Sequence, residues 1–232
     1  VRRDLVFIDT ETSGLDAANP QHEVLEIAVV RLNPLTMERR GVAHLYFLPE
    51  HPVGPAAAAI NGYSADLWRD RAARPIGDSL ARLTPLFDGA TPAGQNIDFD
   101  MRFLAREYGR IGNATPAFDY HRVDLMSLAY PLVLAGLLPG VSLKYQTRYF
   151  ELGEQRHTAM EDVLHEIEVF ERVMERYVNL WRDHAVLPPQ LAQCRVCANC
   201  KNWGFGSVWP FNKSTCGACD GSGLVPPPEE SS

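Results

Sequence analysis

The sequence predicts an α/β fold, a mixed sheet flanked by helices, followed by a small cysteine-bearing module. Two observations lead there. Apolar runs of strand length come three in succession and only then alternate with helical patterns, the order expected of a mixed sheet with helices on its faces. Beyond Leu187-Pro188-Pro189 the chain changes character, and all five cysteines fall between residues 194 and 219. With 232 residues and 46% hydrophobic content, the chain is long enough for one sizeable core plus a small appendage. The expected organisation is a main domain over 1–184, a linker over 185–193, a ribbon-like module over 194–225 and a flexible tail over 226–232.

The elements follow in order. A first strand (3–10) is built on Leu5-Val6-Phe7-Ile8, which is short, β-branched and aromatic enough to be buried. Strands over 23–32 and 42–49 come next, then a helix over 76–87 and a strand over 90–95. Asn96 precedes a helix over 98–110, whose Phe99, Phe103, Leu104 and Tyr108 share one face. A short strand near 118–123 leads to helices near 124–135, 142–150 and 158–184, the last carrying Val163, Ile167, Phe170, Val173 and Met174. No internal repeat occurs in this part.

Three short segments carry the candidate chemistry. Asp9 and Glu11 stand two apart at the end of the first strand, so both carboxylates leave on one face, and Thr12-Ser13-Gly14 then ends the strand. Alone, that pair reads equally well as two solvated acids. Asp100 lies in the first turns of the 98–110 helix, where the positive helix end favours a carboxylate, while neighbouring Asp98 reads as a cap. His157 and Asp162 are five apart, about 140° around an ideal helix, so they do not share a face if both are helical. The simpler arrangement puts His157 in the loop before the last helix and Asp162 on the helix itself. Four acids gathered in this way can hold two divalent metals, and a nearby histidine can activate water, a combination whose usual product is phosphodiester hydrolysis.

The three segments, FIDTETSGLD, GQNIDFDMRFL and HTAMEDV, resemble the exonuclease motifs of the DEDDh superfamily. That superfamily includes ribonuclease T, oligoribonuclease and the proofreading exonucleases of DNA polymerases, such as the epsilon type of polymerase III. The resemblance spans roughly residues 3 to 178, and Glu26-Ile27-Ala28 and Ile60-Asn61-Gly62-Tyr63-Ser64 also fit it. It implies a ribonuclease-H-like fold and hydrolysis from the 3′ end of a single strand. It also implies that Asp9, Glu11 and Asp162 hold the metal that carries the attacking water. Asp9 would bridge to a second metal, Asp100 would complete the site largely through water, and His157 would be the general base. Hard oxygen ligands suit magnesium or manganese, and histidine titrates near neutral pH, so the chemistry agrees with those roles.

Gly14 and Leu15 would lie beside the terminal base. Leu15, Ile60 and Tyr63 are candidates for apolar contact or stacking, and Asn96 for a further substrate contact; the competing reading of the apolar three is core packing. Two departures, Gln95 where many members carry histidine and Asn61-Gly62-Tyr63 in the 60–64 element, bear on substrate preference rather than on the catalytic set.

The formal net charge of −7 argues against tight, non-specific duplex binding. It does not argue against cleavage of a threaded strand end, since four of the negative charges are the proposed metal ligands. No secretory leader is expected, because the apolar run after Arg2-Arg3 is short. The stretch from Leu128 to Leu138 contains Pro131 and Gly136 and falls below the roughly 20 residues that span a bilayer. A cytoplasmic protein without membrane contact is expected.

In the C-terminal module, Cys197-x2-Cys200 and Cys216-x2-Cys219, 15 residues apart, have the paired-knuckle spacing of a four-cysteine structural zinc site. Both knuckles continue as Cys-x2-Cys-x-(Gly or Asn)-x-Gly, residues suited to the positive φ of tight turns. The second resembles one repeat of the cysteine-rich domain of J-domain co-chaperones, which implies a knuckle and not a chaperone. Cys194-x2-Cys197 is the rival first pair but lacks the glycine pattern; a disulfide cluster is at odds with an odd cysteine count in a cytosolic chain. Over 193–220, three basic residues stand against Asp220, with Trp203, Phe205, Trp209 and Phe211 among them. Such a ribbon suits single-stranded nucleic acid, a polymerase or another protein partner, or its own small core, and the sequence leaves these open. DNA against RNA and monomer against dimer are open as well. The rival class is a non-catalytic scaffold that uses the ribbon, but a scaffold has no physical need for mutually repelling carboxylates.

Overall fold

Strand β1 (Leu5–Thr12) is buried along its first four residues and β2 (Val24–Leu32) along nearly its whole length, which is why both read as continuous apolar runs. With β3 (Arg39–Tyr46), β4 (Thr91–Gly94) and β5 (Val123–Asp124) they form one mixed sheet in the order β3-β2-β1-β4-β5. β2 runs antiparallel to both β1 and β3, while β4 runs parallel to β1, and β5 to β4. The structure is a computed structural model and describes residues 3–153, 158–184, 195–196 and 224–225. Val1–Phe170 form one compact unit and Glu171–Ser232 a second.

Side chains alternate across the first unit's sheet. One face (Val6, Ile8, Ile27, Val29) packs with Leu80, Leu83, Phe87, Phe103, Leu104 and Tyr108 from the helices that follow β3 and β4. On the other face, Phe7 meets Phe170 edge-on at 5.7 Å, which sets the final helix against the strand that carries Asp9 and Glu11. Helices thus cover both faces, as expected from the sequence.

The helices are α1 (Pro55–Asn61), α2 (Ala65–Asp70), α3 (Ile76–Leu80), α4 (Thr84–Phe87), α5 (Ile97–Arg110), α6 (Leu125–Leu134), α7 (Leu143–Tyr149) and α8 (Ala159–His184). The sequence pattern did not indicate α1 or α2. Their start signals were present, Pro55 in the first turn of α1 and Ser64 accepting the Leu67 amide in α2, but the alanine run of α1 has no apolar periodicity to display and the six residues of α2 are too few to show one.

The helix expected over 76–87 is broken: α3 passes through a 3₁₀ turn (Ala81–Leu83) into α4. Pro85 lacks the amide proton that a continuous helix needs there, and in such a helix its ring would clash with the Ala81 carbonyl. The third strand lies three residues earlier in sequence than expected, because the 33–38 turn, with Asn33 N–H on Glu38 O at 2.9 Å, fixes the hairpin register. The strand expected near 118–123 shrinks to Val123–Asp124, since the Asp119 carboxylate takes the His121 amide at 2.7 Å and turns the chain.

In the second unit, Arg195–Val196 (β6) and Leu224–Val225 (β7) pair antiparallel, with Arg195 opposite Val225. The pair brackets residues 197–223 in sequence. Cys194, Cys197, Cys200, Cys216 and Cys219 all lie outside the described residues, as does the tail over 226–232. Among the described residues, no helix is long and apolar enough to cross a membrane.

Candidate active site

Asp9 and Glu11 sit near the C-terminal end of β1, just before a register shift between Glu11 and Thr12, a bulge of the kind that re-aims side chains at a sheet's end. Asp162 lies in the first turns of α8, on the same face of the sheet. One carboxylate oxygen from each of Asp9, Glu11 and Asp162 lies within 4.8 Å of the other two. Asp100 arrives from α5: its Oδ1 accepts from the Thr10 amide at 2.9 Å and the Thr10 hydroxyl at 2.7 Å. The residue between the two β1 acids therefore holds the second segment's acid beside them.

The cluster is electrostatically strained without a cation. Burial and then the charges of Glu166, Asp100, Glu11 and Asp162 hold the Asp9 carboxyl well above the usual carboxylate range. Burial and then Asp162, Glu26 and Asp100 push Glu11 up to about 8. Burial raises Asp100 to about 7, although its two hydrogen bonds from Thr10 pull the other way. Near neutral pH such a site holds protons that a divalent cation would displace. An all-oxygen donor set of three convergent carboxylates fits magnesium or manganese.

Residues 6–170 match the sequence profile of the exonuclease family RNase_T. The chain belongs to that exonuclease family. The epsilon subunit of DNA polymerase III from Pasteurella multocida (strain Pm70) is 24% identical over 110 residues, covering 46% of this chain and 42% of the relative. In fold, the domain is similar to exonuclease I. One solved structure of that enzyme superposes with a TM-score of 0.64 at 22% identity over 84% of this chain and 46% of the other. The E. coli enzyme in complex with a dT13 oligonucleotide superposes with a TM-score of 0.64 at 20% identity over 88% and 51%. The chain thus spans about half the length of these relatives.

Within this exonuclease-family domain, the structure brings Asp9, Glu11, Asp100 and Asp162 together. His157 lies outside the described residues; α8 starts two positions later, at Ala159. Leu15 is 84% and Ile60 61% exposed, so neither is core packing. Gly14 leaves no room for a side chain, because a Cβ there would stand 2.2 Å from the His22 ring. Tyr63 is half-buried and packs edge-on against Trp68 at 5.0 Å, a packing contact. Asn96 is exposed and takes the left-handed conformation (φ 56°), with no side-chain cap bond onto α5. Asp98 is not a cap either: it stands inside α5 and pairs with Arg122.

Three residues that the sequence marks only by family pattern, Glu26, Asn61 and Gln95, take supporting roles that it does not reveal. Glu26, fully buried, faces Glu11 across β1–β2 and Tyr46 across β2–β3. Its Oε1 accepts from the Ala159 amide at 3.1 Å, which anchors the first turn of α8, and lies 2.7 Å from His44 Nε2. Burial, then the charge of Glu26, raises the Tyr46 hydroxyl to about 12. Asn61 donates to Thr12 O at 3.2 Å and accepts the Tyr63 amide at 3.0 Å, so this departure from the family pattern ties α1 to the end of β1. Gln95 turns inward: its Nε2 donates to Val141 O at 2.8 Å, and its Oε1 accepts from Gln146 at 2.9 Å. A signal for Glu26 existed in the sequence, as the lone charge within the apolar run Val24 to Val30.

Proposed function

We propose that this chain is a metal-dependent 3′–5′ exonuclease that removes nucleotides from the end of single-stranded DNA or RNA. The observation that carries this reading is the convergence of the Asp9, Glu11 and Asp162 carboxylates to within 4.8 Å, with Asp100 locked beside them by Thr10. Asp9, Glu11 and Asp162 would hold one divalent ion, and Asp9 and Asp100 a second. Such ions, when bound, supply Lewis-acid stabilisation of phosphoryl charge and lower the pKa of water.

The chain's own residues do the rest. His157, just ahead of α8, takes the proton of the attacking water. The water oxygen bonds to phosphorus as the phosphorus–oxygen bond to the penultimate nucleotide's 3′ oxygen breaks, and that oxygen takes up a proton, releasing a nucleoside monophosphate and a strand shortened by one. Leu15 and Ile60, exposed beside β1 and at the end of α1, offer apolar surface to the terminal base whatever its identity. Gly14 lets the Leu15 loop fold tightly over His22. The complexes of E. coli exonuclease I with dT13 and dA16 support a single-stranded substrate.

In the second unit, Cys197, Cys200, Cys216 and Cys219 would hold one structural zinc. The antiparallel pairing of β6 with β7, which flank these four cysteines in sequence, supports this reading. A guiding role for nucleic acid or a protein partner falls to the basic and aromatic residues of its sequence, Arg195, Lys201, Lys213, Trp203, Phe205, Trp209 and Phe211.

The test is a side-by-side digestion of matched DNA and RNA oligomers labelled at the 5′ end, with products resolved by length. A ladder that shortens stepwise from the 3′ end supports the reading, and the faster sugar identifies the substrate. Binding without cleavage in manganese would leave the protein a scaffold.

A further inference from the structure

Glu166 lies one turn beyond Asp162 on α8, so both carboxylates leave the same side of the helix. Glu166 is fully buried. Its Oε1 accepts from the backbone N–H of Gln95 at 2.8 Å. Its Oε2 has no hydrogen-bond partner among the described residues. A buried carboxylate costs stability unless its contacts repay it, and this one stands among Asp9, Asp100 and Asp162, whose charges oppose its own. Core packing alone gives no reason for an acid here.

The hydrogen bond it makes is specific in place. Gln95 follows β4 and begins the turn that starts α5, the helix carrying Asp100. The next amide of that turn, Asn96 N–H, goes to Asp124 Oδ1 at 3.2 Å, and Asn96 itself is left-handed. The Gln95 side chain is braced by Val141 O and by the fully buried Gln146. Behind the turn, a Cβ on Gly94 would stand 2.9 Å from Ile8 O, 3.3 Å from Ile97 Cδ1 and 3.4 Å from Glu166 Oε2, so β4 lies against β1 and the Glu166 carboxylate with no room for a side chain at this position.

We propose that Glu166 is a positioning residue of the metal centre: by accepting the Gln95 amide it fixes α8 to the start of α5, and so fixes Asp162 relative to Asp100. It acts as a hydrogen-bond acceptor of a given length, and its negative charge is dispensable. This rests on the metal-site reading of the four acids.

The test is manganese affinity of the full chain without substrate, read by electron paramagnetic resonance of free Mn2+, alongside turnover at saturating Mn2+. Glu166→Gln keeps both acceptor and length, and should bind Mn2+ within about threefold of the wild-type protein. Glu166→Ala removes the acceptor and should weaken Mn2+ at least tenfold while still unfolding cooperatively. If Glu166→Ala does not fold, Glu166→Met fills the volume without an acceptor and carries the same expectation. Wild-type Mn2+ affinity in the folded Ala or Met variant would overturn the proposal, as would equal losses in Gln and Ala, which would assign the effect to charge. Asp9→Asn is the control for the underlying reading. Undiminished Mn2+ binding in that variant would reject the metal site itself, whatever Glu166 does.

Discussion

Neutralising Glu11 should stabilise the metal-free protein, and only at high pH. Its carboxyl moves from 4.5 to about 8 on folding because burial and then Asp162, Glu26 and Asp100 disfavour its charge. A group that binds its proton more tightly folded than unfolded contributes stability below its unfolded pKa and loses it as pH rises through the folded one. The metal-free protein should therefore weaken between about pH 4.5 and pH 8. Taken whole, the shift corresponds to an upper bound of about 5 kcal/mol. Partial exposure of Glu11 and proton sharing with its neighbours reduce this to roughly 2–3 kcal/mol. Glu11→Gln keeps the shape and removes the titration. In urea unfolding with a chelator present, the variant should match wild type within about 1 kcal/mol at pH 5 and exceed it by roughly 2–3 kcal/mol at pH 8.5. Added manganese should reverse that order, since ligand binding stabilises the protein that holds the ion more tightly. An equal difference at both pH values, or a wild-type protein that gains stability toward pH 8.5 without metal, would refute the electrostatic account of the site.

Two further outcomes are expected. His157→Ala should lower turnover roughly 10²–10⁴-fold with little change in substrate affinity, and should lose the rise of rate with pH through the histidine titration; an unchanged pH profile would assign the base elsewhere. Replacing Cys216 and Cys219 with serine should release one zinc per chain while activity on a dinucleotide persists, because the acids and core of Val1–Phe170 do not depend on those thiolates; metal analysis finding no zinc in the intact protein would reject the module.

β1 and β2 were legible because they are buried on both faces over most of their length and so read as unbroken apolar runs. Asp9 and Glu11 were legible because a spacing of two on a strand fixes their common face. Asp100 and Asp162 needed the family resemblance, since their approach to β1 depends on where α5 and α8 pack. What escaped was of two kinds. Short elements without periodicity, α1 and α2, gave only start signals, and Pro85 was passed over inside an otherwise helical pattern. The second kind was the buried polar support. Glu166 follows Val163 by three and precedes Ile167 and Phe170, so it occupies the apolar stripe of α8, a conflict between charge and position that marks a buried acid. Gln95 looked like a change of substrate preference, yet its amide, carbonyl and backbone are all spent on holding the β4–α5 turn. Such roles depend on partners between 46 and 71 residues away, which local pattern does not encode.

The most direct test of the metal-centre account is hydrolysis of a 5′-labelled single strand by wild type and by Asp9→Asn, each in manganese and in chelator. The account predicts stepwise shortening from the 3′ end for wild type in manganese alone, and no product in the other three reactions. Hydrolysis that persists in chelator, or an Asp9→Asn variant that cleaves at the wild-type rate, would contradict it.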